Sequence, residues 1–159
     1  MLVKKTYNKW FETQDPISYY IEFEKEKIIY PNMTKYLPFV LDNKGFLTNQ
    51  KCFILTSDEV SLKFLTGYFN STISKYWIKN NCPELQGGTR ELSKVFFERI
   101  PIPKISTPQQ KPFIDLVDKI LQVKAENQNA NTTDLERQID KLVYKLYELT
   151  EDEIELLEN

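Results

Sequence analysis

Apolar positions follow strand spacing through the first third of the chain and switch to helical spacing from about residue 60. KIIYP (27–31) is the firmest strand, β-branched and aromatic, and closed by a proline that cannot donate to a ladder. The run before it, from SYYIEF at 18–23, also reads as extended. LPFVLD (37–42) and FLTNQKCFILT (46–56) flank NKG, which predicts two strands around a tight turn. Asn43 and Gly45 supply the positive-φ positions such a turn needs. Ser57 and Asp58 then offer an N-cap for a helix whose apolar face is Leu62, Leu65, Tyr68, Phe69 and Ile73. That helix fades near Asn80, Asn81 and Pro83. ELQGGTREL (84–92) reads as a loop, SKVFFERI (93–100) as a short amphipathic turn or helix, and PIPKIS (101–106) as an extended connector.

Beyond the connector the pattern is helical throughout. Thr107 with Pro108 and Gln110 reads as a capped helix start, and Phe113, Leu116, Val117, Ile120 and Leu121 form its stripe. ENQNANTT (126–133) interrupts. Thr133 with Glu136 makes a second capping box ahead of Leu135, Ile139, Leu142, Val143 and Leu146. Thr150 with Glu153 starts a third, short helix. The expected architecture is α+β: a small mixed sheet with packed helices over 1–105, then a helical pair over 106–159 packed on it as one structural unit.

Composition narrows the chemistry. With 159 residues, 41% of them hydrophobic and 28% charged, the chain has enough apolar mass for a real core. No apolar run approaches the roughly 18 residues that span a bilayer, and MLVKKTYNKWFE lacks a signal-peptide core. Cys52 and Cys82 stand in no paired spacing, which suits a reducing cytoplasm. There is no histidine, which removes imidazole acid–base chemistry, Ser-His-Asp and Cys-His nucleophiles, and histidine-based zinc sites together. The four glycines, at 45, 67, 87 and 88, form no phosphate-cradling loop. A binding module is favoured over an enzyme.

Charge is unevenly distributed. Residues 1–105 carry 15 Lys+Arg against 11 Asp+Glu, a net of +4, whereas 106–159 carry 6 against 12, a net of −6. A mildly basic body suits a domain that shares its phosphate contacts with something larger.

Two stretches carry polar chemistry beyond what a turn needs. Thr48, Asn49, Gln50 and Lys51 stand at the mouth of a strand, and an Asn or Gln amide can pair bidentately with adenine. Alternatively, these side chains satisfy the backbone of their own hairpin. In GGTRE, Gly87 and Gly88 permit close backbone approach beside Thr89, and Arg90 is one of three arginines in the chain. Its fork matches a guanine edge or a phosphate; equally, it can pair with Glu84 or Glu91 on the surface. Lys35, Lys44 and Lys79 are candidate phosphate contacts. Tyr30, Tyr36, Tyr76 and Trp77 could flank a groove, although helical spacing assigns Tyr76 and Trp77 to the core. Asp42-Asn43-Lys44 has the D-x-K spacing of a metal-dependent nuclease, but lacks the preceding Pro-Asp element and is set aside as a turn.

RIPIPKIS with its Gln-led helix, followed by LERQIDKLVYKLYELTEDEIELLE, resembles the end of the TaqI-like C-terminal specificity domain. This is the target-recognition region of restriction–modification adenine methyltransferases, notably the fused type IIG enzymes. KIIYPNMTKYLPFVLDNKGFLTNQKCFIL and FLTGYFNSTISKYWIK resemble its central strands and helix, and GGTREL its recognition-side loop. The resemblance implies that loops around 32–36, 43–51 and 84–91 hold and read double-stranded DNA while a catalytic domain flips out and methylates an adenine. Asn32, Thr34 and Lys35 fall in the first of these loops. The chain contains no NPPY-like motif and no glycine-rich methyl-donor loop. It therefore looks like a C-terminal fragment or a separately encoded specificity piece, catalysing nothing alone. S-adenosylmethionine is implied only for the missing methyltransferase domain, on the same or a partner polypeptide, with or without an endonuclease. The connector-plus-helix pattern is similar in type I specificity subunits, so the system type stays open. Two other classes remain: a helical-hairpin protein–protein module with no base reading, and a domain for a ligand other than DNA.

Overall fold

The structure, a computed structural model, describes residues 20–158. A 3-10 turn, Tyr20–Phe23, leads into strand β1 (Lys27–Pro31), followed by β2 (Met33–Thr34), β3 (Val40–Asp42) and β4 (Cys52–Leu55). Helices α1 (Leu62–Asn70) and α2 (Thr72–Asn81) come next, then β5 (Arg90–Glu91) and the single-turn α3 (Lys94–Phe97). The tail is α4 (Thr107–Glu126), α5 (Thr133–Leu146) and α6 (Glu151–Glu158). The α+β class expected from the sequence is what forms. The extended run expected before β1 is helical at Tyr20–Phe23, where it buries Phe23; Ser18 and Tyr19 lie outside the described residues.

The first sheet has the order β3-β1-β4, antiparallel throughout. The flanking strands do not pair with each other as a hairpin. β1 lies between them, with Ile28 opposite both Leu41 and Leu55. The reason lies at Asp42, whose carboxylate accepts from the backbone N–H groups of Lys44 and Phe46, each at 2.9 Å. This Asx turn, with Gly45 at φ +74°, bends the chain away and leaves both edges of the more apolar KIIYP run to be covered. Asp42 is committed to this turn and to Lys27, so the D-x-K triplet is architectural.

Tyr30 packs on Phe97 at 4.8 Å between centroids, and Phe39, Phe69 and Phe97 complete an aromatic cluster beneath β1. The helix expected from Ser57 begins later. Ser57 Oγ accepts from Val60 N within the approach, and Ser61 caps α1 by accepting from Phe64 N. The helix also breaks at Ser71, which closes α1 and caps α2 by accepting from Ser74 N. Serine competes with the helical ladder through its own hydroxyl, and here it wins.

Tail caps sit one residue earlier than expected. Ser106 and Gln109 form the capping box of α4, and Thr132 is the N-cap of α5. Thr150 and Glu153 pair as the sequence predicts. Gln110 is buried instead, where it accepts from Ser61 N at 3.0 Å and ties α4 to the start of α1. Phe64 meets Phe113 edge-on at 5.1 Å, and Lys63 pairs with Asp118 at 2.6 Å across the same contact. Asp140 on α5 accepts from Thr72 N at 2.7 Å and Thr72 Oγ1 at 3.0 Å, capping α2 from outside. The hydroxyls of Tyr68 and Tyr147, 2.8 Å apart, both donate to the Pro101 carbonyl, which fixes the connector to body and tail at once.

Candidate nucleic-acid interface

Three segments that the sequence marks as polar loops converge at one residue. Asn32 N donates to Lys51 O at 2.8 Å, and Asn32 O accepts from Leu92 N at 2.6 Å. The first bond ties the 32–36 turn to the 43–51 loop; the second ties it to the segment after Arg90. Between them, β2 and β5 pair antiparallel with Thr34 opposite Arg90 and Met33 opposite Glu91. A further bridge sets Glu84 against Arg90, and Leu85 N donates to Thr89 O at 2.7 Å. The result is a short two-stranded ribbon whose Thr34–Arg90 end carries both the Lys35–Tyr36 turn and the glycine turn, with Asn32 and Leu92 at the other end.

Within the ribbon, the Thr34 hydroxyl is committed as an acceptor. Its Oγ1 accepts from Tyr36 N at 3.0 Å and Leu37 N at 3.3 Å, which closes the turn around Lys35 and Tyr36. Lys35 and Tyr36 point to solvent, and Leu37 is buried beneath them. On the β5 side of the same end Gly87 and Gly88 have φ of +75° and +77°. A Cβ on either would meet nothing within 4 Å, so the glycines serve the backbone path and leave the turn open to an approaching group.

Arg90 is mostly buried along its stem. Its Nη2 meets Glu84 Oε2 at 2.5 Å and its Nη1 donates to Cys82 O at 3.4 Å, leaving the remaining guanidinium donors for another acceptor. Burial pushes the Cys82 thiol up, with Glu91 adding to the shift and Arg90 opposing it, so this cysteine is a packed apolar group. Lys79 stands on the last turn of α2, exposed, just before the Pro83 carbonyl that accepts from Glu91 N.

In the 43–51 loop, Lys44, Gln50 and Lys51 are exposed. Asn49 Oδ1 accepts from Lys51 N at 2.9 Å, and Thr48 Oγ1 donates to Cys52 O at 3.5 Å. These two polar side chains thus serve the loop's own backbone, while Gln50 and the lysines face outward. Phe46 and Leu47 are also exposed. Two aromatic expectations are corrected. Tyr30 is core, its phenol pushed up to about 12 by burial, and cannot flank a groove. Tyr76 is half exposed on α2, whereas Trp77 packs against the core as expected. The Arg90–Glu84 pairing that the sequence allows does form, whereas the strand pairing of β2 with β5 had no signal in the pattern, because two-residue strands carry no periodicity. A cleft of about 420 Å³ between β3, α1, α4 and α5 involves none of the expected DNA-facing residues.

A small α+β body thus brings three polar, partly basic loops together around Asn32. Residues 2–102 match the TaqI-like C-terminal specificity domain, and the chain belongs to that family. It is a restriction–modification DNA-specificity domain, a class that recognises and does not catalyse. The matched region ends inside the connector, and α4 to α6 lie beyond it. Among the described residues no helix is long and apolar enough to cross a membrane.

Proposed function

We propose that this chain reads a short sequence in duplex DNA for an adenine methyltransferase of type IIG-like organisation, and that it positions a catalytic domain carried elsewhere. The observation that supports this reading is the convergence of the three loops on Asn32. Sequence reading needs several side chains held at fixed spacing, and a two-stranded ribbon is one of the elements that fit the major groove. In this reading Arg90 and Gln50 meet base edges, Lys35, Lys44, Lys51 and Lys79 meet phosphates, and the open Gly87–Gly88 turn admits the backbone close to the duplex. Asn32, Thr34, Thr48, Asn49 and Thr89 hold that surface in register.

The methyl donor, S-adenosylmethionine, belongs to the catalytic domain, and this chain takes no cofactor. The two would work in the cytoplasm, on one polypeptide or two. With a net charge of +4 over 1–105, the chain alone has few phosphate contacts to offer, so its own affinity is weak and falls with salt. Selection from a randomised duplex pool tests the reading. A recovered consensus containing adenine, methylated only when a methyltransferase domain is added, supports it. Equal retention of all sequences, or methyl transfer by this chain alone, overturns it.

A further inference from the structure

Tyr36 is 83% exposed, yet the backbone beneath it is tied down on both sides. Thr34 Oγ1 accepts from both Tyr36 N and Leu37 N. Leu37 follows at φ +52°, a left-handed conformation that a branched side chain rarely adopts, and is held there by burial to 2% exposure. One residue earlier than Thr34, Met33 pairs with Glu91, and Asn32 is bonded to both neighbouring segments. An aromatic ring with no packing duty does not need such a base. A ring that must enter a crowded partner does, because a tyrosine fixed in advance loses little freedom on contact.

Resting on the DNA-reading proposal above, we infer that Tyr36 is an aromatic wedge: its ring enters the duplex at the edge of the recognised site and stacks on a base. Three features of the turn fit this occupant. Lys35 beside it is exposed and can hold the flanking phosphate. Met33, 47% exposed, gives a second apolar contact on the same ribbon, of a type found at unstacked base steps. Arg90 lies opposite Thr34, so a ring entering here brings the arginine fork to the neighbouring base pairs. Stacking needs the ring and not the hydroxyl.

Wedge insertion costs unstacking, so a duplex in which that cost is already met should bind better. The test measures binding of the chain to a fully paired duplex and to the same duplex with a single abasic site or mismatch moved along it. The expected result is a preference for the defective duplex at one position, on the order of ten-fold or more. Tyr36→Phe keeps that preference and Tyr36→Ala abolishes it, whereas Lys35→Ala weakens both duplexes alike. Retention of the preference by Tyr36→Ala, or its absence in the parent chain, overturns the wedge and leaves DNA reading intact. Failure of the parent to bind either duplex would instead count against the DNA-reading proposal on which the wedge depends. Circular dichroism of Tyr36→Ala, expected to match the parent, separates loss of the ring from loss of the fold.

Discussion

Lys27 and Asp42 form a fully enclosed ion pair across β1 and β3, with Nζ 2.6 Å from Oδ2 and neither side chain in water. Lys27 also donates to Phe23 O at 2.7 Å, and Asp42 also accepts from the N–H groups of Lys44 and Phe46. The pair thus joins the sheet to the base of the 43–51 loop. Breaking such a pair from one side is far costlier than its net worth, since the survivor is left charged and buried. Asp42→Asn should destabilise the domain by about 3–5 kcal/mol in urea or thermal unfolding. It should also loosen the loop, which faster amide exchange at Lys44 and Phe46 would report.

The same carboxylate sets a pH dependence. Burial, the largest influence, pushes Asp42 up, but the bonds from Lys27, Lys44 and Phe46 together outweigh it and leave it below the usual range. A group lowered in the folded state contributes fully above its unfolded value and loses that contribution as pH falls through its folded one. The stability gap between parent and Asp42→Asn should therefore be full above about pH 4 and close progressively below it. A gap that stays constant into acid would show that Asp42 is not charged in the fold.

Arg90 and Glu84 make the next prediction. The guanidinium is held by Glu84 and by Cys82 O, so it is aimed but partly neutralised. Arg90→Ala should weaken binding to a preferred duplex by about 1–3 kcal/mol while leaving random duplexes nearly unaffected. An equal loss on every duplex would make it a phosphate contact. Glu84→Gln removes a negative charge from the ribbon proposed to face DNA, and should raise affinity for all duplexes and narrow the margin between preferred and random ones. Filter binding of both variants at two salt concentrations separates these outcomes.

The strand β1 and the tail helices are legible in the sequence because their patterns are long. KIIYP is β-branched, and Phe113, Leu116 and Val117 recur at helical spacing; all three of these tail residues are buried as their spacing demands. What escapes the pattern is decided by single side chains. Asp42 turns the expected hairpin into two strands on either side of β1, and Ser71 splits one apolar helix into α1 and α2. The helix starts slip by one, to Ser106 and Thr132, each preceding another capable cap residue, and α5 forms no capping box because Thr132 Oγ1 donates to Glu136 instead. The loops of the candidate interface are visible as polar stretches, yet their meeting at Asn32 depends on bonds to Lys51 and Leu92, far apart along the chain. No local signal encodes those.

Gly87 and Gly88 allow a direct separation of backbone from contact effects. Both are left-handed, and neither has a neighbour that an added methyl would strike. Alanine at either position should cost about 1–2 kcal/mol through backbone conformation alone. If the turn lies against DNA, Gly88→Ala should weaken duplex binding beyond any change in the fold, measured well below the melting temperature. Unchanged affinity would place the turn outside the interface.

The tail is seated on a glycine. Gly67, in the middle of α1, would place a Cβ 3.2 Å from Val117 Cγ2 on α4 and 3.6 Å from two carbons of Ile139 on α5. The missing side chain is what lets three helices meet at this point. Alanine there sets a gain of up to about 1 kcal/mol in helix propensity against a tight contact, so its net effect should be small. Leucine has no such compensation and should lower stability by about 3 kcal/mol, through overpacking against residues that already fill the space. Leu142 is only half-buried against the same core, so Leu142→Asp should cost about 2–3 kcal/mol, less than a fully enclosed site would. Glu151, exposed at the start of α6, should tolerate lysine with little change. Duplex binding, measured where each variant is folded, should be unchanged in all of them, since their effect lies in the seat of the tail. Thermal melts in which Gly67→Leu is as stable as the parent would show that α4 and α5 do not rest on α1.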